Sequence, residues 1–207
     1  CGTGNMTEFL AAKGYDMIGL DSSCDMLDAA MEKKSISGHD ILYLNQDMRE
    51  FELYGTVAAV VSICDSLNYI TKYEELVTVF KLVNNYLDPK GIFIFDMNME
   101  AKFKTINDAV IAENREEASF IWENTYYEAE HINEYELTIF ARCDDEKYEK
   151  LTEIHYERAY SLEEIKAALQ EAGMTFVASY NAFTRQPPDK NSERIYIVAQ
   201  ENGKQTA

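Results

Sequence analysis

Short apolar runs alternate with segments of helical periodicity over the first 97 residues, and this alternation limits the chain to few folds. The runs YDMIGLD, DILYLNQD, TVAAVVSIC and GIFIFDMN are typical of buried strands, and TVAAVVSIC has the β-branched content of a central parallel strand. The intervening segments SSCDMLDAAMEKK and KYEELVTVFKLVNNYL have helical spacing, and DPKG closes the second. This order predicts a doubly wound, mostly parallel α/β sheet.

The pattern changes between about residues 118 and 160. ASFIWENTYYEAE, EYELTIFARCD and KLTEIHYERAY alternate in part and are separated by acidic turns, the second at 144–149, which predicts an inserted meander of three antiparallel strands. A helix follows, with Ser161 as its N-cap and Glu164 as the capping-box partner, and then two closing strands. We expect a single domain over 1–207, with 98–160 as an inserted cap.

Composition disfavours several classes of partner. The chain has 37 acidic and 19 basic side chains and a net charge of −18, which would repel the phosphates of nucleic acids. No apolar run approaches the roughly 18–20 residues of a membrane-spanning helix. The four cysteines are scattered, which favours free thiols and a cytoplasmic location, and the three histidines show no metal-binding spacing.

Two glycines and an aspartate suggest a nucleoside cofactor. Gly2 and Gly4 stand just before a helix start, where bare backbone lets a bulky ligand approach, and Asp21 ends the next strand. A carboxylate there can accept hydrogen bonds from both ribose hydroxyls. A dinucleotide fingerprint would need a third glycine where Thr7 stands, which disfavours NAD. A glycine turn beside an ordinary strand-end aspartate is the alternative.

The segment CGTGNMTEFLAAKGYDMIGLDSSCDML resembles the glycine loop, helix and second strand of class I S-adenosylmethionine-dependent methyltransferases. NQDMREF, CDSLNYI and YLDPKGIFIFDMN resemble later segments of that family in the same order, and the C-terminal helix and strands resemble its ending. The resemblance implies a seven-stranded Rossmann-like methyltransferase fold, S-adenosylmethionine as cofactor and an antiparallel last strand. In the family a strand precedes the glycine loop, so we expect the natural protein to continue upstream of Cys1.

The resemblance also implies which positions contact the cofactor. Those around the adenosine would be Asp21, Ser22, Met26, Asp47 and Met48. Those near its amino-acid part and its transferable methyl group would be Gly2, Gly4, Cys64, Asp65 and Leu67. Packing on a helix face would explain Met26 equally well, and we interpret Cys64 as a small apolar residue rather than a nucleophile.

The acceptor is less constrained by the sequence. Methyl transfer needs mainly in-line placement of a nucleophile, and a base only if the acceptor arrives protonated. Candidate acceptor contacts are Tyr69, Tyr126, His131, His155 and Arg158, and no catalytic residue is assigned. An aromatic meander folded over the sheet edge would suit a small-molecule acceptor, with an amine favoured through cation–π contact; it would equally suit its own small core or a homodimer interface.

Three function classes stay open at this point. The leading prediction is an enzyme that methylates a small molecule. A protein of the same fold that binds the cofactor without turnover, as a regulator or assembly partner, is the second, and an NAD(P)-dependent oxidoreductase is the third. Methylation of a nucleic acid base is disfavoured by the charge and by CDSLNY, which stands where such enzymes carry an N-P-P-Y type motif.

Overall fold

The computed structural model describes residues 1–143 and 147–204, so part of the expected turn at 144–149 lies outside the described residues. The chain divides into two compact units, Cys1–Thr56 and Val57–Ala207. No helix in the described ranges is long and apolar enough to cross a membrane.

The first unit is a βαβ element with a leading helix. Its elements are α1 (Asn5–Ala11), β1 (Met17–Asp21), α2 (Cys24–Ser37) and β2 (Ile41–Asn45). The hydroxyl of Ser23 caps α2 by accepting the Met26 N–H at 3.3 Å, and α2 stops at Gly38, whose φ of 72° suits glycine. Strands β1 and β2 pair in parallel, so their last residues, Asp21 and Asn45, lie side by side.

The second unit contains the remaining strands and helices. They are β3 (Val57–Ser62), a 3₁₀ helix (Ser66–Tyr69), α3 (Tyr73–Tyr86), β4 (Leu87–Asn98), α4 (Glu100–Ile106), β5 (Val110–Asn114), β6 (Ala118–Tyr127), β7 (Ile132–Arg142), β8 (Tyr148–Arg158), α5 (Leu162–Glu171), β9 (Met174–Asn181) and β10 (Arg194–Glu201). One sheet has the order β3-β4-β10-β9, in which β3 and β4 are parallel and the other pairs antiparallel. The capping box of Ser161 and Glu164 at the start of α5 is confirmed.

Apolar packing holds α3 against the sheet of the second unit. Phe80 on α3 packs edge to face against Phe93 and at a tilt against Phe95, both on β4, at centroid distances of 5.7 and 5.4 Å, and all three rings are buried. Large buried aromatic rings contribute heavily to the stability of such a core. This packing fixes β4, whose C-terminal end carries the polar residues described below.

A second sheet contains β5, β6, β7 and β8, each antiparallel to the next along the chain. The sequence predicted three of these strands and left 99–117 unassigned; the structure adds β5 and the short helix α4 there. A small aromatic core lies under this sheet, formed by Phe103, Tyr126, Tyr135 and Ala159 with Trp122 packed against it. The aromatic residues of β6 and β7 therefore serve partly as core.

The sheet differs from the expected seven-stranded, mostly parallel one. The described strands form three separate sheets, and the one built on β3 and β4 is mixed because β10 runs antiparallel between β4 and β9. Strand β3 was expected in the middle of a sheet but pairs only with β4 among the described strands. The expected turn DPKG is instead an irregularity inside β4, where pairing with β3 jumps from Leu87 to Ile92.

Candidate functional site

The two glycines of the loop before α1, Gly2 and Gly4, have different surroundings. Gly4, with φ of 77°, lies against a tyrosine: a Cβ here would come within 2.5 Å of the Tyr43 hydroxyl oxygen. Gly2, with φ of 54°, has open space where its Cβ would be. Gly4 is therefore required by packing within the unit, whereas Gly2 leaves bare backbone beside free volume.

Asp21 lies beside this loop with both carboxylate oxygens hydrogen-bonded. Its Oδ2 accepts the Gly2 N–H at 2.7 Å, and its Oδ1 accepts the Ser23 N–H at 3.0 Å. Burial raises the pKa of Asp21, whereas these backbone hydrogen bonds lower it. Asp21 is therefore an ionised acceptor, and Oδ1 retains acceptor capacity for a ligand hydroxyl.

A cavity of about 450 Å³ opens at the same end of β1 and β2. It is lined by Ser22, Asn45, Gln46, Asp47, Glu50 and Glu52. The Arg49 guanidinium donates to Asp47, at 2.6 Å from Nη2 to Oδ2, and lowers the pKa of that carboxyl group. The structure thus brings Ser22 and Asp47 to one cavity, whereas Met26 and Met48 do not line it.

In the second unit, β3 is followed by a strained turn. Cys64 and Asp65 both have left-handed backbone, with φ of 64° and 54°, which costs non-glycine residues about 1–2 kcal/mol each. The Asp65 N–H donates to Asp96 Oδ1 at 2.9 Å, and its carboxylate accepts from Asn98 Nδ2 at 2.9 Å. A left-handed backbone of this kind persists where the surrounding structure holds it in place, and these two hydrogen bonds hold Asp65.

Arg194 supplies the positive charge of this cluster. It lies opposite Asn98 in the pairing of β10 with β4. Its guanidinium donates to Asp65 Oδ1 at 2.7 Å, Asp96 Oδ2 at 2.8 Å and Asn98 Oδ1 at 3.1 Å. Burial lowers the pKa of Arg194, but Asp65 and Asp96 more than offset that effect and raise it. One arginine therefore joins the ends of β4 and β10 to the turn after β3.

Asn68, which is fully buried, fastens the antiparallel sheet to the end of β4. Its Nδ2 donates to the carbonyl oxygens of Asn98 at 2.9 Å and Arg158 at 2.8 Å, and its Oδ1 accepts the Asn98 N–H at 2.9 Å. Arg158 is the last residue of β8. The 3₁₀ helix thereby fixes the position of β8 relative to β4.

A second cavity, of about 200 Å³, lies within the second unit. We call it the acidic–aromatic cavity; its lining residues are Asp65, Tyr69, Lys102, Trp122, Tyr135, Leu137, His155 and Glu157. Tyr69 and His155 pack edge to face at 5.8 Å, as do Trp122 and Tyr135 at 5.3 Å. The Trp122 Nε1–H is buried and has no hydrogen-bond partner in the structure. An unpaired donor of this kind can be satisfied by a bound ligand.

Glu157 is the most buried acid of the acidic–aromatic cavity, with 2% of its surface exposed. Its Oε2 accepts from Asn98 Nδ2 at 3.3 Å and from the Tyr135 hydroxyl at 3.4 Å. Burial, followed by the negative charge of Asp65, raises the pKa of Glu157 to about 7. The cavity therefore contains a carboxyl group that can change its charge near neutral pH.

Of the other site residues predicted from the sequence, some line a cavity and some do not. Asp65 lines the acidic–aromatic cavity, Cys64 is exposed, and Leu67 is buried at 1% exposure without lining either cavity. Among the acceptor candidates, Tyr69 and His155 line the cavity. The others have different partners: Tyr126 donates to Glu100, His131 lies exposed near Glu100, and Arg158 contacts Thr71 and Glu164.

Sequence reasoning missed Asp96, Asn98, Glu157 and Arg194. Asp96, Asn98 and Glu157 lie at the C-terminal ends of strands, and Arg194 is the first residue of β10. A usable signal was present, because Asp96 and Asn98 interrupt the apolar run GIFIFDMN at its end, where ligands bind in α/β sheets. The pairing of Arg194 with them is not visible in the sequence.

Comparison with known proteins decides the family. The family model described as "Methyltransferase domain" matches residues 1–91. Over 200 residues the chain is 36% identical to a Geobacillus sp. (strain WCH70) protein named "Putative methyltransferase", covering 96% of this chain and 81% of that protein. The chain belongs to the class I S-adenosylmethionine-dependent methyltransferases. It is therefore an enzyme, and its cofactor is S-adenosylmethionine.

Two further matches bear on this methyltransferase. A crystal structure of an S-adenosylmethionine-dependent methyltransferase from Clostridium acetobutylicum superposes with a TM-score of 0.90 at 28% identity, covering 98% of this chain and 82% of that one. A Streptomyces venezuelae dTDP-3-amino-3,4,6-trideoxy-alpha-D-glucopyranose N,N-dimethyltransferase is 32% identical over 96 residues, covering 46% of this chain and 39% of that protein. The first of these supports a Rossmann-like fold.

The residues of the first unit fit an adenosine-bearing cofactor. Ribose hydroxyls and the adenine amino group are hydrogen-bond donors, and the cavity and the strand end next to it supply carboxylates, Asp21 and Asp47, as acceptors. The free volume at Gly2 leaves the backbone accessible to a ligand. The donor and acceptor chemistry of this unit is thus complementary to S-adenosylmethionine.

Proposed function

We propose that this methyltransferase transfers a methyl group to the nitrogen of a small amine. The observation that carries the proposal is the acidic–aromatic cavity, which combines the carboxylates of Asp65 and Glu157 with the rings of Tyr69, Trp122 and Tyr135. An ammonium group is attracted both by carboxylates and by aromatic faces. A cavity of about 200 Å³ suits a compact molecule rather than a polymer.

Two further facts support an amine. The net charge of −18 favours the approach of a cation and disfavours an anionic acceptor such as a nucleic acid. The Streptomyces venezuelae relative is named as an N,N-dimethyltransferase of an amino sugar nucleotide, so its printed substrate bears an amine. The match covers 46% of this chain and supports the chemical class of the acceptor.

In the proposed reaction the two units have different tasks. S-adenosylmethionine supplies an electrophilic methyl group with a neutral thioether as leaving group. Asp21, Ser22 and Asp47 would hold its adenosine part, with Gly2 leaving room for the amino-acid part. Asp65 lines the acidic–aromatic cavity, and the family resemblance assigns it to the cofactor's methyl end.

The proposal is tested with matched acceptors. Small molecules that share a carbon skeleton but carry an amine, a hydroxyl or a carboxylate group are incubated with S-adenosylmethionine and the full-length protein, and S-adenosylhomocysteine formation is measured. We expect turnover with amines and none above background with the alcohols and acids. Equal rates for alcohols and amines would contradict the proposal, as would a folded protein that binds the cofactor but methylates no amine in a broad panel.

A further inference from the structure

Glu157 differs from Asp65, the other carboxylate of the acidic–aromatic cavity, in its partners. Asp65 is paired with the Arg194 guanidinium at 2.7 Å. The side-chain donors that reach Glu157 in the described ranges, the Asn98 amide and the Tyr135 hydroxyl, are both neutral. A buried carboxylate without a bonded cation is costly in its ionised form, so Glu157 is the acid of this pair that gains most from holding a proton.

One amide group joins the two acids. Asn98 Nδ2 donates to Asp65 Oδ2 at 2.9 Å and to Glu157 Oε2 at 3.3 Å. The charge of Asp65 is therefore close enough to oppose ionisation of Glu157, while Arg194 stabilises Asp65 itself. The two neighbouring carboxylates therefore have different surroundings, because Asp65 is paired with Arg194, whereas neutral side chains donate to Glu157.

We propose that Glu157 is a catalytic base of this methyltransferase and accepts a proton from the ammonium form of the acceptor. The inference rests on the proposed function, an amine acceptor. In this step an N–H bond of the ammonium breaks and an O–H bond forms on a carboxylate oxygen of Glu157. The electron pair stays on nitrogen as the lone pair that then attacks the methyl carbon. An ammonium–carboxylate pair becomes a neutral amine and a neutral acid, so protons and charge balance.

The unusual environment of Glu157 suits this role. Ordinary carboxylates are too weakly basic to deprotonate an ammonium group efficiently, and a base whose pKa lies near the working pH does so better. The pKa of Glu157 is about 7, raised first by burial and then by Asp65. Lys102, which lines the same cavity, lowers the pKa of Glu157, and the ammonium that enters the cavity would add a second positive charge beside the ionised carboxylate.

Other titratable groups face the same space and must be separated from Glu157 in any test. They are Asp65, Tyr69, Lys102, Tyr135 and His155. Burial raises the pKa of Tyr69 to about 12 and raises that of Tyr135 further, so neither tyrosine changes charge near neutrality. Histidine side chains in general titrate near neutral pH, so a His155→Gln variant is a necessary control.

The test measures kcat/KM for a reactive amine against pH in four proteins. They are the wild type, Glu157→Gln, His155→Gln and Glu149→Gln; Glu149 is exposed on the same strand β8 and gives the matched substitution. We expect the wild-type value to rise with pH around a midpoint near 7, which is the pKa of Glu157. Glu157→Gln should lose this dependence and about 10²–10⁴-fold of the rate, whereas the two controls keep the dependence.

Two further readouts need no turnover. Trp122, the single tryptophan of the sequence, lines the cavity, so its fluorescence should titrate with a midpoint near 7 in the wild type and not in Glu157→Gln. Because the folded-state pKa of Glu157, about 7, lies above the usual value of 4.5, its ionisation lowers stability as pH rises between these two values. Glu157→Gln should therefore melt at a higher temperature than wild type at about pH 8 and at nearly the same temperature at about pH 5.

The possible failures are distinguishable. If Glu157→Gln methylates the amine at the wild-type rate with the same pH dependence, Glu157 is not the base, and the proposed amine acceptor stands. If the wild type methylates no amine, the proposed function fails instead. Absence of a wild-type fluorescence midpoint near 7, or its disappearance only in His155→Gln, would overturn the assignment to Glu157 without any assay of turnover.

Discussion

Replacing Arg194 with methionine will destabilise the protein by about 3 kcal/mol, near the lower limit for breaking a buried ion pair. Methionine keeps the apolar stem but leaves the carboxylates of Asp65 and Asp96 without their cation. The Asp96 side chain is 3% exposed, so water cannot replace the guanidinium there, whereas Asp65 is 22% exposed and loses less. In thermal unfolding the loss should appear as a decrease of about 6–12 °C.

Two control variants show whether the loss of stability is specific to Arg194 or would follow the loss of any arginine. Arg115→Met removes an arginine paired with Glu113 at the surface, with 69% of the arginine side chain exposed, and should leave the melting temperature nearly unchanged. Arg194→Lys keeps the charge but cannot form the same fork of bonds, so it should recover part of the loss. An Arg194→Met protein as stable as Arg115→Met would show that the cluster contributes nothing to stability.

The substitution of Arg194 should also weaken the acceptor site. Arg194 and Asn98 bond to the side chain of Asp65, whose backbone is left-handed, and this strained turn is held by such contacts. In Arg194→Met the turn can relax and move Asp65 out of the acidic–aromatic cavity. We therefore expect a raised KM for the amine with a smaller change in cofactor affinity.

Replacing Asn68 with leucine will cost at least about 3 kcal/mol, because two buried backbone groups and one partly buried backbone group lose their partner. These groups are the N–H and C=O of Asn98 and the C=O of Arg158. Leucine has a similar volume, so the loss reflects hydrogen bonds rather than a cavity. Chemical denaturation followed by circular dichroism measures it, and hydrogen exchange should show the ends of β4 and β8 opening first.

Asn85→Leu is the matched control for Asn68→Leu. Asn85 is exposed on α3, so the same substitution there should change stability by less than about 0.5 kcal/mol. Asn68 holds the end of β8 through Arg158, and the preceding residue, Glu157, lines the acidic–aromatic cavity. Asn68→Leu should therefore also lower the affinity for the amine. Unchanged stability in Asn68→Leu would mean that other groups or water satisfy these backbone atoms.

The local structure of the first unit was largely predictable from the sequence. The Ser23 cap, the stop at Gly38 and the apolar runs of β1 and β2 all act within a few residues of one another. The same holds for the capping box of α5. The sequence could not show that Gly2 and Gly4 have different surroundings. Tyr43, which excludes a side chain at Gly4, is 39 positions away in the chain.

The acidic–aromatic cavity was far less predictable because it is held together by long-range contacts. Arg194 bonds to Asp65 across a separation of 129 residues, and Asn68 bonds to Arg158 across 90. The pattern of aromatic residues in the meander cannot distinguish Tyr126, which packs in a core, from Trp122, which also lines a cavity. Glu157 looks like any other acid in a strongly acidic chain until its burial is known.

The claim on which the proposed reaction depends is that the glycine loop and Asp21 bind the cofactor. Calorimetric titration of S-adenosylhomocysteine into the full-length protein tests it most directly, with Asp21→Ala alongside and Asp25→Ala, an exposed acid in the first turn of α2, as the control. We predict micromolar binding to the wild type and to Asp25→Ala, and binding weakened by at least about tenfold in Asp21→Ala, which corresponds to about 1.4 kcal/mol. No binding to well-folded wild-type protein, or equal binding to Asp21→Ala, would contradict it.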